Sequence, residues 1–379
     1  MEALNGMNSL PRGRRFRTLA ARLRQEIAQG QWPVGGRLPT ETELAKTYAI
    51  GVNTVRRAVD LLVEEGLVRR KQGSGTFVTA GPVASGMTRP RFIGVLVPST
   101  TYYFPRVVQG IERAVSAAGA QLVLACSDYD LDVELAQTRQ LVDAGISGLL
   151  LVPNLHLSDD PAAHLAGLRS LPVPYVLVER RPQDPSLADP TSYVCTDVLG
   201  GGYSAVQHLH GLGRSRIGYL GRIGTATSEQ LFDGYRRAIA DLGLPELPAA
   251  VARQPSWTGP DLLAYANQCV REKVRGVVCL GDREATALLP YLRRVGLSVP
   301  DEVALMAYDD EVADLAEVPI SAVSPPKEEV GRMAAEVLLR RIELGPVAPV
   351  CRVVLQPRLA VRASCGAAAG ALVEVRVPT

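Results

Sequence analysis

The sequence lacks several features that would place it in a membrane, secreted or metal-binding class. No run of eighteen apolar residues occurs, and the first thirty residues are rich in Arg without an apolar signal core. This pattern predicts a cytoplasmic protein without a membrane partner, and it disfavours a periplasmic transport receptor. The six cysteines show no CxxC spacing and lie mostly in apolar segments, which favours buried free thiols over disulfides or a zinc site.

Motifs of catalysis are scarce as well. No P-loop, nucleophile elbow or protein-kinase signature occurs. The glycines of Gly211–Arg216 lack the dinucleotide-binding spacing, and they end a predicted helix instead of opening one. His208 and His210 are two positions apart on that helix, so their side chains point to different faces and metal ligation is disfavoured. The sequence therefore predicts a protein that is not an enzyme and carries no cofactor or metal.

Charge is unevenly distributed along the chain. The first 80 residues contain 13 Lys or Arg and 7 Asp or Glu, whereas the remaining residues contain 28 Lys or Arg and 32 Asp or Glu. The net charge of the whole chain is only +2. A basic head on a mildly acidic body is typical of a nucleic-acid-binding protein. The length of 379 residues, with 47% hydrophobic content, allows one small domain and a second body of two lobes.

The basic head has the pattern of a helix-turn-helix. A first amphipathic helix ends near Gly30, and Thr40 with Glu43 forms a capping box at the start of a short second helix. A third helix opens after Gly51, with its apolar positions on one side and its polar positions near the exposed start. Side chains in the first turns of such a helix reach base edges and phosphates in the major groove of DNA.

A glycine-turned hairpin follows the third helix. Gly66 ends the helix, and strands over 67–70 and 76–78 flank a basic turn, which predicts a wing that enters a neighbouring groove. The candidate DNA-binding residues are Thr40, Thr42, Asn53, Thr54, Arg56, Arg57, Lys71, Gln72, Gly73 and Ser74. Four arginines of the first helix fit phosphate contact and a solvated helix face equally well: Arg14, Arg15, Arg22 and Arg24.

The remainder of the chain has the pattern of an α/β protein. A linker rich in Gly, Pro and Ser covers 81–91 and separates the winged head at 1–80 from a body at 92–362, with a C-terminal tail at 363–379. Apolar runs such as Phe92–Val97 alternate with predicted helices, and this rhythm restarts near residue 200. Two doubly wound parallel-sheet lobes in series predict a clamshell that captures a ligand where the carboxyl ends of the strands face one another.

The head resembles the GntR family of winged helix proteins. The resemblance rests on the runs Leu38–Ala45, Asn53–Ala58, Glu65–Arg70 and Gln72–Val78. One departure concerns Gly51 and Val52, which stand where the family usually has Ser-Arg. Gly tolerates the cap position at a cost of a few tenths of a kcal/mol, but the missing Arg removes a groove contact that the resemblance would imply.

The body resembles the effector domain of the LacI/GalR type. The runs that carry the resemblance include Gly281–Asp282, Val299–Leu305, Tyr308–Asp310 and Ser324–Lys327. The resemblance implies a ligand between the lobes, with Tyr103 and Phe104 as flat rings, Trp257 as a third aromatic from the other lobe, and Thr227 and Asp282 as polar contacts. For each aromatic the alternative is ordinary core packing. Asp282 is harder to explain as a core residue, because a carboxylate near a strand end needs a partner.

A second departure affects the ligand site. Where that family usually has an Arg three residues before the Gly of a Gly-Tyr pair, this chain has Leu231 ahead of Gly234-Tyr235. This departure predicts that the effector is not a simple free hexose or pentose held in the usual way. The effector is then less polar, or differently oriented, or bound by Arg180 or Arg222 instead; the alternative is a register slip by which Arg236 or Arg237 takes the role.

These inferences predict a transcriptional regulator, with repression as the preferred sign. It would act as a homodimer on double-stranded operator DNA and respond to a small-molecule effector, for which a carbohydrate is one candidate. The rival reading is a DNA-binding protein whose C-terminal body only dimerises and binds no effector.

Overall fold

A computed structural model describes residues 12–28, 31–71, 73–79, 91–182, 189–367 and 372–374. The chain divides into two compact units, Met1–Thr88 and Arg89–Thr379. No helix among the described residues is long and apolar enough to cross a membrane.

The first unit is a three-helix domain with a two-stranded antiparallel hairpin. Its elements are α1 (Arg12–Ala28), α2 (Glu41–Thr47), α3 (Val52–Glu64), β1 (Val68–Lys71) and β2 (Gly75–Val78). The apolar side of α3 packs against α1 and α2, and its fully or almost fully buried members are Val55, Ala58, Val59 and Leu62. The polar side of α3 is thereby left exposed.

In the second unit, the N-terminal lobe is built on a six-stranded parallel sheet with the order β13-β7-β6-β5-β3-β4. The strands are β3 (Phe92–Val97), β4 (Gln121–Cys126), β5 (Gly148–Leu151), β6 (Tyr175–Val178), β7 (Tyr193–Thr196) and β13 (Arg352–Leu355). Helices cover both faces: α4 (Phe104–Ala117), α5 (Leu131–Asp143), α6 (Pro161–Arg169) and α11 (Lys327–Leu344). Alternate side chains of β3 join the apolar clusters on opposite faces of the sheet, as a strand buried on both sides requires.

The C-terminal lobe repeats this architecture on a seven-stranded sheet with the order β15-β14-β12-β11-β10-β8-β9. Its strands are β8 (Ile217–Gly221), β9 (Val251–Arg253), β10 (Gly276–Cys279), β11 (Ala304–Tyr308), β12 (Ser321–Ser324), β14 (Arg358–Ala360) and β15 (Leu372–Glu374). Its helices are α7 (Val198–Gly211), α8 (Ala226–Asp241), α9 (Gly259–Arg271) and α10 (Asp282–Arg294). The two strands β14 and β15 form an antiparallel edge on an otherwise parallel sheet.

The chain crosses between the two lobes three times: from β7 to α7, from β12 to α11, and from β13 to β14. Two of these crossings are bonded to each other. The Asp197 amide donates to the Leu355 carbonyl at 2.8 Å, and Gln356 Nε2 donates to the Asp197 carboxylate at 2.9 Å. These two crossings thus form one connected part of the hinge.

Paired glycines allow two helices in each lobe to touch backbone to backbone. A Cβ at Gly110 of α4 would lie 1.9 Å from the Glu328 carbonyl oxygen, and a Cβ at Gly234 of α8 would lie 2.1 Å from the Leu199 carbonyl oxygen. Any side chain at these positions would push the helices apart. The close approach fixes α4 on α11 and α7 on α8, beside the hinge.

The structure adds elements that the sequence pattern did not predict. The strands β7 and β12 to β15 and the helix α11 were not predicted. The segment predicted as a tail starts inside the C-terminal lobe, where Ser364 and Cys365 are fully buried. All six cysteines are free thiols, and four of them are buried. The described residues contain no cluster of His, Cys, Asp and Glu that could hold a metal ion.

Candidate DNA-binding face and effector cleft

The start of α2 is fixed by local hydrogen bonds. Glu43 Oε2 accepts from the Thr40 amide at 2.7 Å, and the Thr40 hydroxyl accepts from the Glu43 amide at 3.3 Å, so the predicted capping box is present. Gly51 occupies the N-cap position of α3 without a side-chain bond. The first residues of α3, Val52 and Asn53, are exposed to solvent.

Two arginines of the head are paired with one carboxylate. Arg56 on α3 donates to Glu41 at 3.0 Å, and Arg70 on β1 donates to the other oxygen of Glu41 at 2.9 Å and also to Asp60. The Arg56 side chain remains 56% exposed. Glu41 therefore bridges Arg56 of α3 and Arg70 of the hairpin.

Arg57 lies differently from its neighbour. Its guanidinium carbon is 4.6 Å from the centre of the Phe16 ring on α1, which is a cation–π contact. The structure therefore separates two arginines that the sequence placed together at the start of α3.

The other predicted DNA-binding residues that the structure describes lie at the start of α2, on α3, at the end of β1 and in the turn that follows it. Those with exposed side chains or backbone are Thr40, Thr42, Asn53, Lys71 and Gly73, and those that are half-buried are Thr54 and Ser74. Gln72 lies outside the described residues. The hairpin turn is slim because Gly73 and Gly75 both adopt positive φ.

A cleft of about 540 Å³ lies between the two lobes of the second unit. Its walls come from the loops after β3, β6, β8, β10 and β11, which is the position expected for ligands of parallel sheets. The residues that line it include Tyr102, Tyr103, Phe104, Tyr129, Glu179, Arg180, Arg222, Thr225, Thr227, Arg283, Glu284, Tyr308 and Asp309. The predicted ligand residues Tyr103, Phe104 and Thr227 are thus brought together.

The carboxylate of Glu179 anchors the floor of the cleft. It accepts from the Tyr103 hydroxyl at 2.7 Å, and from both the amide and the hydroxyl of Thr196 at 3.1 Å. Burial raises the pKa of Glu179, and it raises the pKa of Tyr103 well above its usual range. Tyr103 is therefore held as a neutral hydroxyl with its ring against Phe104, at 5.3 Å between ring centres.

Asp282 is fully buried and its oxygens are occupied by protein donors. One oxygen accepts from the backbone amides of Glu311 at 2.6 Å and Val312 at 2.7 Å, and the other accepts from the Tyr102 hydroxyl. Tyr102 belongs to the N-terminal lobe and Asp282 to the C-terminal lobe. In this structure Asp282 therefore joins the lobes, and it is not among the residues that line the cleft.

Asp309 and Lys327 form a second polar group beside this contact. Burial and the nearby Asp282 carboxylate raise the pKa of Asp309 to about 7. Lys327 is buried and its ammonium donates to the Asp309 carbonyl and pairs with Glu311 at 2.6 Å. The ammonium also lies 5.3 Å from the centre of the Tyr103 ring.

Arg180 is held at the wall of the cleft by a buried polar network. Its Nη1 donates to the Pro153 carbonyl at 3.1 Å and to Asn154 Oδ1 at 2.7 Å. Asn154 is fully buried and is itself fixed by Ser127 at 2.9 Å and by Glu134, which accepts from the Asn154 amide at 2.8 Å. Burial lowers the pKa of the Arg180 guanidinium.

Arg180 and Arg222 both line the cleft. These are the two arginines that could replace the donor that Leu231 lacks. Arg222 donates to Glu284 at 2.7 Å through Nε. Leu231 is fully buried in the core of the C-terminal lobe. Arg236 and Arg237 lie on the outer face of α8 and pair with acidic side chains of the same helix.

Trp257 is not among the described residues that line the cleft. Its ring packs on the core of the C-terminal lobe and against Tyr265, and its indole N–H donates to the Gly221 carbonyl at 3.1 Å. The structure thus supports the alternative of core packing for this residue.

Several cleft residues were not among the predicted ligand contacts. These are Tyr102, Tyr129, Glu179, Glu284, Tyr308 and Asp309. Glu179, Tyr308 and Asp309 lie at or just after the carboxyl ends of strands. A systematic reading of the residues that follow each predicted strand would have found them.

The two units match two known protein families. Residues 16–78 match bacterial regulatory proteins of the gntR family, and residues 206–365 match the periplasmic binding protein-like domain. The arabinose metabolism transcriptional repressor of Geobacillus stearothermophilus is 30% identical over 354 residues, which cover 90% of this chain and 96% of that protein. The chain belongs to the gntR family of bacterial regulatory proteins. It is a DNA-binding transcriptional regulator with an effector domain.

Solved structures of transcriptional regulators have the same fold as this gntR-family protein. The complex of the regulator CelR with cellobiose has a TM-score of 0.62 and 26% identity, and it covers 86% of this chain and 100% of that one. The regulator GntR from Chromobacterium violaceum has a TM-score of 0.61 and 25% identity, and it covers 73% of this chain and 100% of that one. The predicted pairing of a GntR-type head with a LacI/GalR-type body is confirmed.

Proposed function

We propose that this protein is a cytoplasmic repressor that binds a two-part operator as a homodimer and is controlled by a carbohydrate. One observation carries the proposal, namely the cleft between the lobes, in which tyrosine rings lie beside paired acidic and basic groups. Flat rings pack on sugar faces, and fixed carboxylates and guanidinium groups bond hydroxyls. The names of the relatives support this choice, since one is an arabinose metabolism repressor and one was solved with cellobiose.

On the DNA side we propose that α3 lies in the major groove and that the hairpin contacts a neighbouring groove. The residues proposed to contact DNA are Thr40, Thr42, Asn53, Thr54, Arg56, Lys71, Gln72, Gly73 and Ser74. Arg57 is proposed to contribute less, because its guanidinium is already engaged with Phe16. The proposed boundaries remain a head at 1–80, a linker at 81–91 and a body from 92 onward.

On the effector side we propose that Tyr103, Phe104, Thr227, Arg180 and Arg222 contact the ligand. We propose that Asp282 acts through Tyr102, by holding the lobes in the closed arrangement that the effector favours. Effector binding between the lobes would then shift the equilibrium between two conformations of the dimer, one whose heads fit the two half-sites of the operator and one whose heads do not. No chemical step is required, and the protein is proposed to work without a cofactor.

The direct test is fluorescence anisotropy on labelled DNA from upstream of the protein's own gene, with random duplex as control, with and without sugars. We expect a preference for the upstream DNA that one class of sugar abolishes. Equal affinity for both duplexes would contradict the proposal that the protein binds a specific operator upstream of its own gene. Preferential DNA binding that no small molecule alters would support the rival function, in which the body only dimerises.

A further inference from the structure

A second cavity of about 500 Å³ shares two wall residues with the effector cleft, and we call it the side cavity. Its walls come from the segment after β5, the first turn of α6 and the residues after β6 in the N-terminal lobe, and from the start of α8 in the C-terminal lobe. Arg180 and Thr225 line both cavities. Arg181 and Ala226 are among the described residues that line the side cavity but not among those that line the cleft. The side cavity therefore has walls of its own.

Arg180 brings a positive charge to the side cavity. Its Nη1 donates to two uncharged acceptors, the Pro153 carbonyl and Asn154 Oδ1. The carboxylates of Glu134 and Glu179 attract this charge through space, but both accept hydrogen bonds from other groups and neither forms an ion pair with Arg180. Burial lowers the pKa of the guanidinium, because the lost hydration outweighs this attraction.

Arg181 brings a second positive charge. Among the described residues it contacts the hydroxyl and the ring of Tyr193, and both are uncharged. Its Nη1 donates to the hydroxyl at 3.5 Å, which is long for a hydrogen bond, and its guanidinium carbon lies 5.7 Å from the centre of the ring. A guanidinium has five N–H donors, so Arg181 keeps donors with which it can bond an anion.

Little negative charge in the side cavity balances these two arginines. Among the described residues that line it, Glu229 is the acidic one, and its carboxylate already accepts from Arg253. His156 at the wall is neutral at physiological pH, because burial and the Arg180 charge lower its pKa to about 4, with Glu134 opposing. The described lining of the side cavity thus carries an excess of positive charge.

Two helices also begin at the side cavity. Ala162 in the first turn of α6 and Ala226 in the first turn of α8 both line it. Capping side chains bond the amides of Ala163 and Ser228, whereas the amides of Ala162, Ala226 and Thr227 donate to no described residue. Unbonded amides in a first turn and the positive end of the helix dipole both attract anions.

We propose that the side cavity binds a phosphate group, which Arg180 and Arg181 hold from the N-terminal lobe and the first turn of α8 holds from the C-terminal lobe. Arginine forks and helix N-termini are the groups that phosphate oxygens bond in proteins. Free inorganic phosphate and the phosphate of a small organic ester share this chemistry, and a cavity of about 500 Å³ has room for either. A group bound to both lobes favours their closed arrangement. The inference goes beyond the proposed carbohydrate response and does not depend on it.

The test measures phosphate binding by calorimetry on the full-length protein. Inorganic phosphate, glycerol phosphate and glycerol are titrated separately, and sodium chloride keeps the ionic strength constant. We expect saturable binding of both phosphate compounds and none of glycerol. Tighter binding of glycerol phosphate than of inorganic phosphate would identify an ester as the ligand, and equal binding would identify free phosphate. No saturable binding of either compound, or equal binding of glycerol and glycerol phosphate, would overturn the inference.

Variants locate the bound phosphate. R181Q removes one charge from the side cavity and should lower the phosphate affinity about tenfold or more, while R181K keeps the charge and should lie between R181Q and the wild type. R139Q removes the same charge from an exposed position of α5 and should stay within about twofold of the wild type. Because the DNA-binding head is identical in these variants, phosphate bound by the head contributes equally to all of them.

A second variant blocks the site from the other lobe. A226E places a carboxylate in the first turn of α8, where a negative charge suits the helix, and it should abolish phosphate binding without lowering the melting temperature. Phosphate affinities of R181Q and A226E equal to that of R139Q would overturn the inference. A protein that binds phosphate through Arg181 but responds to no sugar would contradict the proposed carbohydrate control and leave this inference intact.

Discussion

The Tyr102 hydroxyl of the N-terminal lobe donates a hydrogen bond to the Asp282 carboxylate of the C-terminal lobe. Arg283 adds to this contact, because its guanidinium carbon lies 4.0 Å from the centre of the Tyr102 ring. Asp282 is at the same time the acceptor for two backbone amides of its own lobe. One carboxylate therefore supports the fold of the C-terminal lobe and links that lobe to its partner.

This double role separates two substitutions. D282A leaves the partly buried amides of Glu311 and Val312 without an acceptor, and we expect it to lower the free energy of unfolding by about 1–3 kcal/mol. Y102F removes only the bond between the lobes, so its melting temperature should stay close to that of the wild type while its effector affinity falls. Thermal denaturation and calorimetry on both variants check this. A D282A protein that melts like the wild type would show that Asp282 has no structural role.

Asp309 should make stability depend on pH. Its pKa is raised to about 7 in the folded protein from an ordinary value of 3.8, mainly by burial and by Asp282, with Lys327 opposing. The folded state therefore holds a proton that the unfolded state has lost, and stability falls as pH rises from about 4 through 7. We expect the melting temperature of D309N, relative to the wild type, to be higher at pH 8 than at pH 5.

The control for this experiment is D233N, which removes a carboxylate from the exposed face of α8. Its melting temperature relative to the wild type should change little between the two pH values. A D309N difference that is the same at pH 5 and pH 8 would show that Asp309 does not titrate in this range.

Short-range patterns in the sequence were sufficient to predict the head. The capping box of Thr40 and Glu43 depends on residues three positions apart, and the apolar side of α3 follows from a 3.6-residue period. The direction of Arg57 could not be predicted in this way. It is set by Phe16, which lies on a different helix.

In the body, the sequence predicted the alternating elements but not the crossings between lobes. The helix α11 follows β12 of the C-terminal lobe but packs on the sheet of the N-terminal lobe. No short-range sequence pattern predicts that the chain changes lobes at this point. The role of Asp282 was missed for the same reason. Its partners Tyr102 and Glu311 are 180 and 29 positions away in the chain, so only the folded protein shows that the carboxylate is already satisfied.

Two tyrosines should respond in opposite ways to the loss of a hydroxyl. Tyr235 donates to the Ile217 carbonyl at 2.8 Å, whereas the buried Tyr308 hydroxyl has no partner among the described residues. Y235F should therefore lower the free energy of unfolding by about 1 kcal/mol, and Y308F should leave it unchanged or raise it. Chemical denaturation measures both. Y308F should instead weaken effector binding, and a Y308F protein with unchanged affinity would exclude this hydroxyl from the site.

Helix α3 offers a matched pair of arginines. Arg56 projects from α3 with more than half of its side chain exposed, and Arg57 stacks on Phe16. We expect R56A to weaken operator binding by about 1–3 kcal/mol, roughly five- to 150-fold, and to reduce its salt dependence. R57A should weaken binding by less than about threefold. Anisotropy titrations at several salt concentrations check both, and equal losses would mean that the two side chains contact DNA alike.

Glu41 should limit DNA affinity in the wild-type protein. Its two oxygens accept from Arg56 at 3.0 Å and from Arg70 at 2.9 Å, and a DNA phosphate has to compete for these donors. An exposed pair of this kind is worth about 0.2–1 kcal/mol, so we expect E41Q to tighten operator binding by about two- to fivefold. E64Q removes the same charge from an exposed position at the far end of α3 and reports the general electrostatic effect. A gain that is larger for E41Q than for E64Q at the same ionic strength would show that Glu41 restrains the arginines, whereas equal gains would reduce its role to net charge.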